Sequence, residues 1–153
     1  MKIAIGSDHG GYKLKKKLLK FLETKGYELA DMGTHSEESC DYPIIGYKVA
    51  SSISSGQFER GVLVCKTGIG MSIVANKIHG VRAALCQTKD SARLSREHND
   101  ANIIVFGSKF VKLKMVEEML DIWLRTNFLG GRHRRRVRQI EKIEREISGG
   151  KNE

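Results

Sequence analysis

Residues 61–72 read Gly-Val-Leu-Val-Cys-Lys-Thr-Gly-Ile-Gly-Met-Ser, a short apolar run that passes directly into a glycine-containing loop. A run that is apolar throughout is typical of a central parallel strand with helices on both faces. Glycines in front of a second periodic segment indicate the tight turn that leads from a strand into a helix. We therefore predict a strand at Gly61–Cys65, a loop that starts at Lys66 and a helix after it.

The rest of the chain alternates in the same way between short apolar runs and longer amphipathic segments. The apolar runs predict four further strands, at Lys2–Ser7, Tyr27–Asp31, Val81–Leu85 and Asn102–Phe106. Helical periodicity predicts helices at about Tyr12–Lys25, Asp41–Ser55, Asp90–Glu97 and Leu113–Phe128. The first of these has apolar residues on one face and lysines on the other. The expected fold is α/β: a single-domain, doubly wound, Rossmann-like, five-stranded parallel sheet.

A pair of glycines, Gly130 and Gly131, interrupts this pattern before a basic segment that is helix-prone from Arg132 to Ile147. We therefore divide the chain into a Rossmann-like domain at 1–129 and a basic helical C-terminal tail at 130–153. A helix that projects from a compact domain has to pack somewhere, and a second subunit is a natural place. We expect a homodimer, with a tetramer as the larger alternative.

Composition sets limits on the function. The 153 residues suit one compact domain, and 27 Lys and Arg against 18 Asp and Glu give a net charge of +9, which favours an anionic partner. Cys40, Cys65 and Cys86 are an odd number at wide spacing, so neither a disulfide framework nor a zinc site is predicted. The start of the chain turns polar too early for a signal peptide, and no apolar run reaches membrane-spanning length. We expect a cytoplasmic protein without membrane contact.

Ligands of an open parallel sheet bind beyond the carboxyl ends of the strands. The predicted loops place these residues there: Asp8, His9, Cys65–Gly70, Gln87 and Gly107–Lys109. Backbone N–H groups in the glycine loop can bind a phosphate or a developing enolate oxygen. Cys65 lies beside Lys66 and near a helix N-terminus, and both features favour the thiolate. The competing interpretation of Cys65 is a small buried side chain, which also accounts best for Cys86.

Three familiar sites fit this loop poorly. The loop lacks the GxxxxGK[ST] pattern of a Walker A motif, and Ile73 stands where a dinucleotide fingerprint needs its third glycine. Asp31 does lie at about the distance of a ribose-binding acid. A cysteine phosphatase is expected to have an arginine where Met71 stands.

The basic tail has two interpretations. Arg132 and Arg136 are one helical turn apart, so they can grip one phosphate together, or they can belong to a solvated charge run. Binding of RNA would call for aromatic side chains between the arginines, and the tail has none, which makes a nucleic-acid partner an unfavoured alternative. His98 is a further candidate because it lies next to a strand-end loop and histidine is the side chain suited to proton transfer near neutral pH.

These residues resemble the type B ribose-5-phosphate isomerase family, which includes the galactose-6-phosphate isomerase subunits. The matching stretches span nearly the whole chain: Gly6-Ser7-Asp8-His9-Gly10-Gly11, Asp41-Tyr42-Pro43, Cys65-Lys66-Thr67-Gly68-Ile69-Gly70, Ser95-Arg96-Glu97-His98-Asn99-Asp100 and Gly130-Gly131-Arg132-His133. The resemblance implies an isomerase of the pentose phosphate pathway that interconverts D-ribose 5-phosphate and D-ribulose 5-phosphate through an enediolate. It implies no metal, no cofactor and a site shared by two subunits. The alternatives are an allose or galactose 6-phosphate isomerase and, outside enzymes, an RNA- or anion-binding module.

The resemblance also implies a role for each matching residue. Cys65 would move the proton between C2 and C1, His98 would donate a proton in ring opening, and Asp8 and Thr67 would handle hydroxyl protons. The substrate-binding residues would be Asp8, His9, Lys66, Thr67, Gly68, Ile69, Gly70, Asn99, Lys109, Arg132 and Arg136, with Asn99 and Lys109 coming from the partner chain. Lys66 and Lys109 depart from the glycine and arginine common in the family. The residues from Gly70 to Val74 include no carboxylate that could act as the base in place of Cys65.

Overall fold

The computed structural model describes residues 1–149 and contains a parallel five-stranded sheet. Its strands are β1 (Lys2–Ser7), β2 (Glu28–Asp31), β3 (Arg60–Cys65), β4 (Ala83–Leu85) and β5 (Ile103–Gly107). They pair in the order β2-β1-β3-β5-β4, and every pairing is parallel. The predicted sheet is confirmed, with strand ends that differ from the expected ones by at most two residues.

Within residues 1–149, six α-helices connect and follow the strands. They are α1 (Tyr12–Thr24), α2 (Tyr42–Ser54), α3 (Ile69–Ala75), α4 (Lys89–Asn99), α5 (Leu113–Arg125) and α6 (Arg132–Gly149), and a 3-10 turn at His9–Gly11 precedes α1. The end of α5 was predicted three residues too late, because Thr126 adopts an extended backbone. The last four residues of the predicted tail, 150–153, lie outside the described residues.

Two apolar layers cover the sheet, one on each face. Side chains of alternate strand positions such as Ile5 and Val64 pack with α1, α4 and α5. The positions between them, such as Leu63 and Cys65, pack with α2 and α3. Full burial of a Val, Leu or Ile side chain stabilises the fold by about 1.5–3 kcal/mol, so the continuous apolar run of β3 is explained by its cover on both faces.

The parallel strands give the sheet two distinct edges. We call the edge after Ser7, Cys65 and Gly107 the carboxyl edge, and the opposite edge, where β3, β4 and β5 begin, the amino edge. Each helix after a strand returns the chain from the carboxyl edge to the amino edge. At about 3.3 Å per residue, a strand of six residues separates the two edges by roughly 15–20 Å.

The tail helix α6 belongs to the amino edge. The N–H of Gly80, just before β4, donates to Glu144 Oε1 at 2.9 Å, and Arg82 pairs with Glu141 at 3.8 Å. Ile140, Ile143 and Ile147 line a groove beside Glu144, between α6 and the start of β4, and are 47%, 55% and 65% exposed. None of the helices described within residues 1–149 is long and apolar enough to cross a membrane.

The end of β5 holds the loop after β3 in place. Ser108 N–H donates to Cys65 O and Lys109 N–H donates to Lys66 O, both at 2.9 Å. Gly107 lies so close to the Thr67 carbonyl group that a Cβ there would overlap its backbone atoms. Glycine is therefore required at the point where β5 supports this loop.

We predict that Gly107→Ala lowers the free energy of unfolding by about 1–3 kcal/mol, because the added methyl has to push the Thr67 peptide aside. Urea denaturation of the purified variant measures this change. The matched control is Gly149→Ala, whose Cβ meets no heavy atom of the described residues within 4 Å. Equal denaturation midpoints for the two variants would contradict the prediction.

Candidate functional site

Asp8 and Cys65 lie next to each other at the carboxyl edge because β1 and β3 are neighbours in the sheet. Ser7 pairs with Val64, so the next residue of each strand emerges at the same level. Asp8 N–H donates to Val64 O at 3.3 Å, and its carboxylate Oδ1 accepts from Gly11 N–H at 3.1 Å. Only 7% of Asp8 is exposed, so its carboxylate is fixed at the mouth of the loop after β3.

Cys65 is both a core residue and a polar partner of the loop. It is 5% exposed and packs with Met71 and Leu63 on its face of the sheet. Its Sγ also accepts a hydrogen bond from Gly68 N–H at 3.1 Å. A thiolate is the stronger acceptor for such an N–H, because hydrogen bonds to ionised groups exceed those to neutral ones. Burial alone therefore does not explain this cysteine.

The loop after β3 takes its shape from Gly68 and Thr67. Gly68 has a left-handed backbone, with φ of +77°, which glycine adopts without strain. The Thr67 Oγ1 accepts from Ile69 N–H at 3.3 Å. In this conformation two loop amides, those of Gly68 and Ile69, point to side chains of the loop itself. Tyr42 closes the far side of the loop by packing its ring against Gly70.

His9 is fixed by the loop after β2. Its Nδ1 accepts from Cys40 N–H at 3.2 Å, which leaves Nε2 as the ring's other polar atom. That loop is anchored by Lys15, whose Nζ donates to Asp31 Oδ1 and to Thr34 O, each at 2.5 Å. Lys15 is 0% exposed. The prediction that the lysines of α1 share one solvent face is therefore wrong for Lys15. This buried side chain instead holds the loop after β2 in place.

Two exposed lysines complete the carboxyl-edge group. Lys66 begins the loop after β3, and Lys109 is held beside it by the backbone hydrogen bond to Lys66 O. Lys109 was expected to join the site from the partner together with Asn99. Within this chain it lies instead near Cys65, because Cys65 ends β3 and Lys109 follows β5, the neighbouring strand.

A second group of predicted site residues lies at the amino edge. His98 and Asn99 end α4, and Arg132 and Arg136 occupy the first turns of α6. The His98 and His133 rings stack with centroids 4.1 Å apart and planes 10° from parallel. Leu129 N–H donates to Glu97 O at 3.1 Å and fixes the segment between the two helices. The start of the basic tail is therefore packed onto the end of α4.

His133 was missed as a site residue in the sequence. It is 8% exposed, and burial lowers its pKa, as do the nearby positive charges of His98, Arg132 and Arg136. Its position in a charge run gave no signal of burial. Only its one-turn spacing from Val137, which is also buried, indicated that this face of the tail packs inward.

An ionic clamp holds the end of α4. Asp100 has a left-handed backbone, with φ of +47°, and its carboxylate pairs with Arg96 at 2.7 Å and with Arg82 at 3.4 Å. Arg82 Nε also donates to Asn99 O at 3.0 Å. Arg96 is buried, and its guanidinium lies over the Trp123 ring. Sequence reasoning missed this clamp, which fixes the backbone of His98 and Asn99.

One chain does not bring the two groups together. Asp8, His9, Cys65–Gly70 and Lys109 lie at the carboxyl edge, whereas His98, Asn99, Arg132 and Arg136 lie at the amino edge. His98 was expected next to a strand-end loop. That loop leads into β5 and lies at the amino edge because α4 runs antiparallel to the strands. Within residues 1–149, no cluster of three or more His, Cys, Asp or Glu side chains is arranged to hold a metal ion.

The fold and these two groups define a doubly wound α/β protein that offers a buried cysteine at one edge and concentrated positive charge at the other. Residues 3–140 match a family model described as ribose/galactose isomerase. Ribose-5-phosphate isomerase B of Escherichia coli K12 is 45% identical over 143 residues, which cover 94% of this chain and 96% of the relative.

Solved structures agree with this match. A ribose-5-phosphate isomerase B from Clostridium thermocellum has a TM-score of 0.95 and 52% identity, covering 96% of this chain and 99% of that one. The Mycoplasma genitalium enzyme with bound ribulose-5-phosphate has a TM-score of 0.91 and 37% identity, with 95% and 97% covered. The chain therefore belongs to the ribose/galactose isomerase family. The resemblance to the type B ribose-5-phosphate isomerases is confirmed.

Proposed function

We propose that this protein interconverts D-ribose 5-phosphate and D-ribulose 5-phosphate, a step of the pentose phosphate pathway, and that it works in the cytoplasm. The observation that carries the proposal is the placement of Cys65 in the family fold: a thiol at the end of a central strand, hydrogen-bonded by its loop and next to Asp8. The relatives named as ribose-5-phosphate isomerases support the choice of substrate.

The reaction needs a base and hydrogen-bond donors that stabilise the negative charge of the enediolate. The Cys65 thiolate takes the proton from C2 of the open-chain aldose, the electron pair forms the enediolate, and the thiol returns the proton to C1. Such general base catalysis contributes about 10²–10⁴-fold. As Sγ takes the proton, it becomes a weaker acceptor for Gly68 N–H, which can then turn to an enediolate oxygen. A donor already aimed at the developing oxyanion contributes about 3–4 kcal/mol, and an amide that first has to turn contributes less.

Asp8 and Thr67 have complementary tasks in this proposal. Their side chains lie at the mouth of the same loop, where they move protons between the substrate hydroxyl groups. The loop amides of Lys66, Thr67, Gly68, Ile69 and Gly70 would bind the enediolate oxygens after the hydrogen bonds of Gly68 to Cys65 Sγ and of Ile69 to Thr67 Oγ1 are released. The carboxylate of Asp8 is already fixed by Gly11, so it does not have to be ordered when substrate binds.

We infer that the complete site is shared by two copies of the chain in a homodimer. The carboxyl-edge group of one subunit would face the amino-edge group of the other, so that His98 donates a proton in ring opening. Phosphate would lie between His9 and Lys109 of one chain and Asn99, Arg132 and Arg136 of the second. The exposed Ile140, Ile143 and Ile147 give the tail helix an apolar face to bury on the partner.

A hexose 6-phosphate is the second candidate substrate, because the family description also names galactose. Pentose and hexose phosphates differ by one carbon between the reacting centre and the phosphate. A coupled assay with ribose, allose and galactose phosphates at equal concentrations compares the two possibilities. We expect the highest kcat/KM for ribose 5-phosphate.

We predict that Cys65→Ser lowers kcat by about 10²-fold or more with little change in KM, because the hydroxyl is a far weaker base at neutral pH. The matched control is Arg132→Ala, which we expect to raise KM and leave kcat nearly unchanged. Steady-state kinetics with ribose 5-phosphate measure both effects. A Cys65→Ser variant with near-normal kcat would exclude the proposed base.

The shared site predicts complementation between two inactive variants. Chains with Cys65→Ser and chains with His98→Gln, carrying different affinity tags, are co-expressed and the mixed dimer is purified. One of its two sites then combines the intact carboxyl edge of one chain with the intact amino edge of the other. We expect about half the wild-type activity per mixed dimer.

The control for this experiment is a mixed dimer of Cys65→Ser and Asp8→Asn chains. Both substitutions affect the carboxyl edge, so each site contains one defect and activity stays at the level of the parent variants. Failure of the Cys65→Ser and His98→Gln pair to recover activity, or failure to isolate any mixed dimer, would rule out the shared site.

A further inference from the structure

The His133 ring is held more firmly than a residue in a basic tail usually is. It lies in the first turn of α6, its backbone N–H donates to Gly130 O at 3.0 Å, and its side chain is 8% exposed. Its ring lies flat against His98 at 4.1 Å and 10°. His98 is only partly buried, so the pair has one enclosed ring and one accessible ring.

The charges around the pair oppose a second proton. His98, Arg132 and Arg136 present positive charge to His133, and Glu97 is the acid that faces it. Glu97 is already paired with Arg93 at 2.6 Å. Burial and the positive neighbours lower the pKa of His133. Two stacked imidazolium rings would repel each other at this distance, so the stack and its surroundings disfavour a proton on the buried His133 ring while His98 is charged.

We propose that His133 is a positioning residue for the isomerase reaction: its uncharged ring, stacked on His98, fixes that imidazole and leaves the single proton of the pair on His98. This inference rests on the proposed function, in which His98 is the proton donor for ring opening. The ring C1–O bond of the furanose breaks, the ring oxygen takes the proton from His98, and the C1 hydroxyl releases its proton to solvent as the aldehyde forms. His98 regains a proton from solvent.

The first turns of α6 carry both His133 and the arginines that are proposed to bind the phosphate. Arg132 and Arg136 flank His133 on one helix, so the side chains proposed to bind phosphate and the stacked ring are positioned by the same turns of α6. The clamp of Asp100 by Arg96 and Arg82 fixes the other ring from the side of α4. The backbone of His98 is therefore fixed by the clamp at the end of α4, and its ring is fixed by stacking on His133.

The charge state of the pair is measured by NMR on the full-length protein labelled with 15N in its five histidines. Spectra of His133→Phe and His98→Gln assign the two rings, and pH is varied from about 5 to about 8, the range in which histidines titrate. We expect the His133 nitrogens to keep the pattern of a neutral ring while His98 gains its proton. Protonation of His133 before His98, or together with it, would overturn the proposal.

The kinetic consequence is tested with two variants at His133. His133→Phe keeps a flat ring in the stack, so kcat should stay within about twofold, and the pH at which activity falls on the alkaline side should not move. His133→Ala removes the ring, so kcat for ribose 5-phosphate should fall about tenfold while KM changes less than about twofold. Circular dichroism confirms that both variants are folded.

Three results would contradict the positioning role. A shift of the alkaline limb in His133→Phe would mean that His133 is charged in the wild type, because loss of a neighbouring charge moves the titration of His98. An unchanged kcat in His133→Ala would mean that the stack is dispensable, and equal losses in both variants would mean that its role is structural. A wild-type protein without isomerase activity would refute the proposed function instead, while the NMR titration would still decide the charge state.

Discussion

All five strands run in one direction, and this constraint decides where each functional group lies. Every residue that follows a strand lies at the carboxyl edge, and every residue that ends a returning helix lies at the amino edge. Cys65 and Asp8 are neighbours because β1 and β3 are neighbours. His98 is remote from them because α4 spans the sheet in the opposite direction. A roughly 15–20 Å separation is too large for any side chain to bridge.

At the carboxyl edge, the residue proposed to act as the base is also part of the hydrophobic core. Cys65 closes the apolar run of β3 and fills the core, yet its sulfur receives the Gly68 amide. The loop after β3 is held from the side by the end of β5, where Gly107 allows the closest approach. Stability of the sheet and placement of the reactive thiol therefore depend on the same short contacts.

The sequence was a good guide to the fold because apolar runs and helical periodicity are local signals. The strand bounds differ by at most two residues, and Cys65, Thr67 and Gly68 could be located from the strand that precedes them. Burial that depends on distant partners could not be predicted in this way. Lys15 had no local feature that separates it from its exposed neighbours, and its partners Asp31 and Thr34 are at least 16 residues away.

The edge on which His98 lies shows a second limit of local reasoning. The stretch Ser95–Asp100 indicates a functional segment, but only the direction of α4 and the stacking of His133 place it at the amino edge. Lys109 was likewise expected with Asn99 and lies with Cys65, because strand order cannot be read from spacing alone. Residue types were therefore easier to predict than the way they are grouped.

A crystal structure of the wild-type protein with D-ribulose 5-phosphate tests the shared site most directly. We expect one sugar phosphate per site, with Cys65 of one subunit at C1 and C2. His98 of the other subunit should face the oxygen that forms the furanose ring. Arginines of that second subunit should contact the phosphate. A ligand bound only by residues of one chain, at either edge of its sheet, would contradict the shared site.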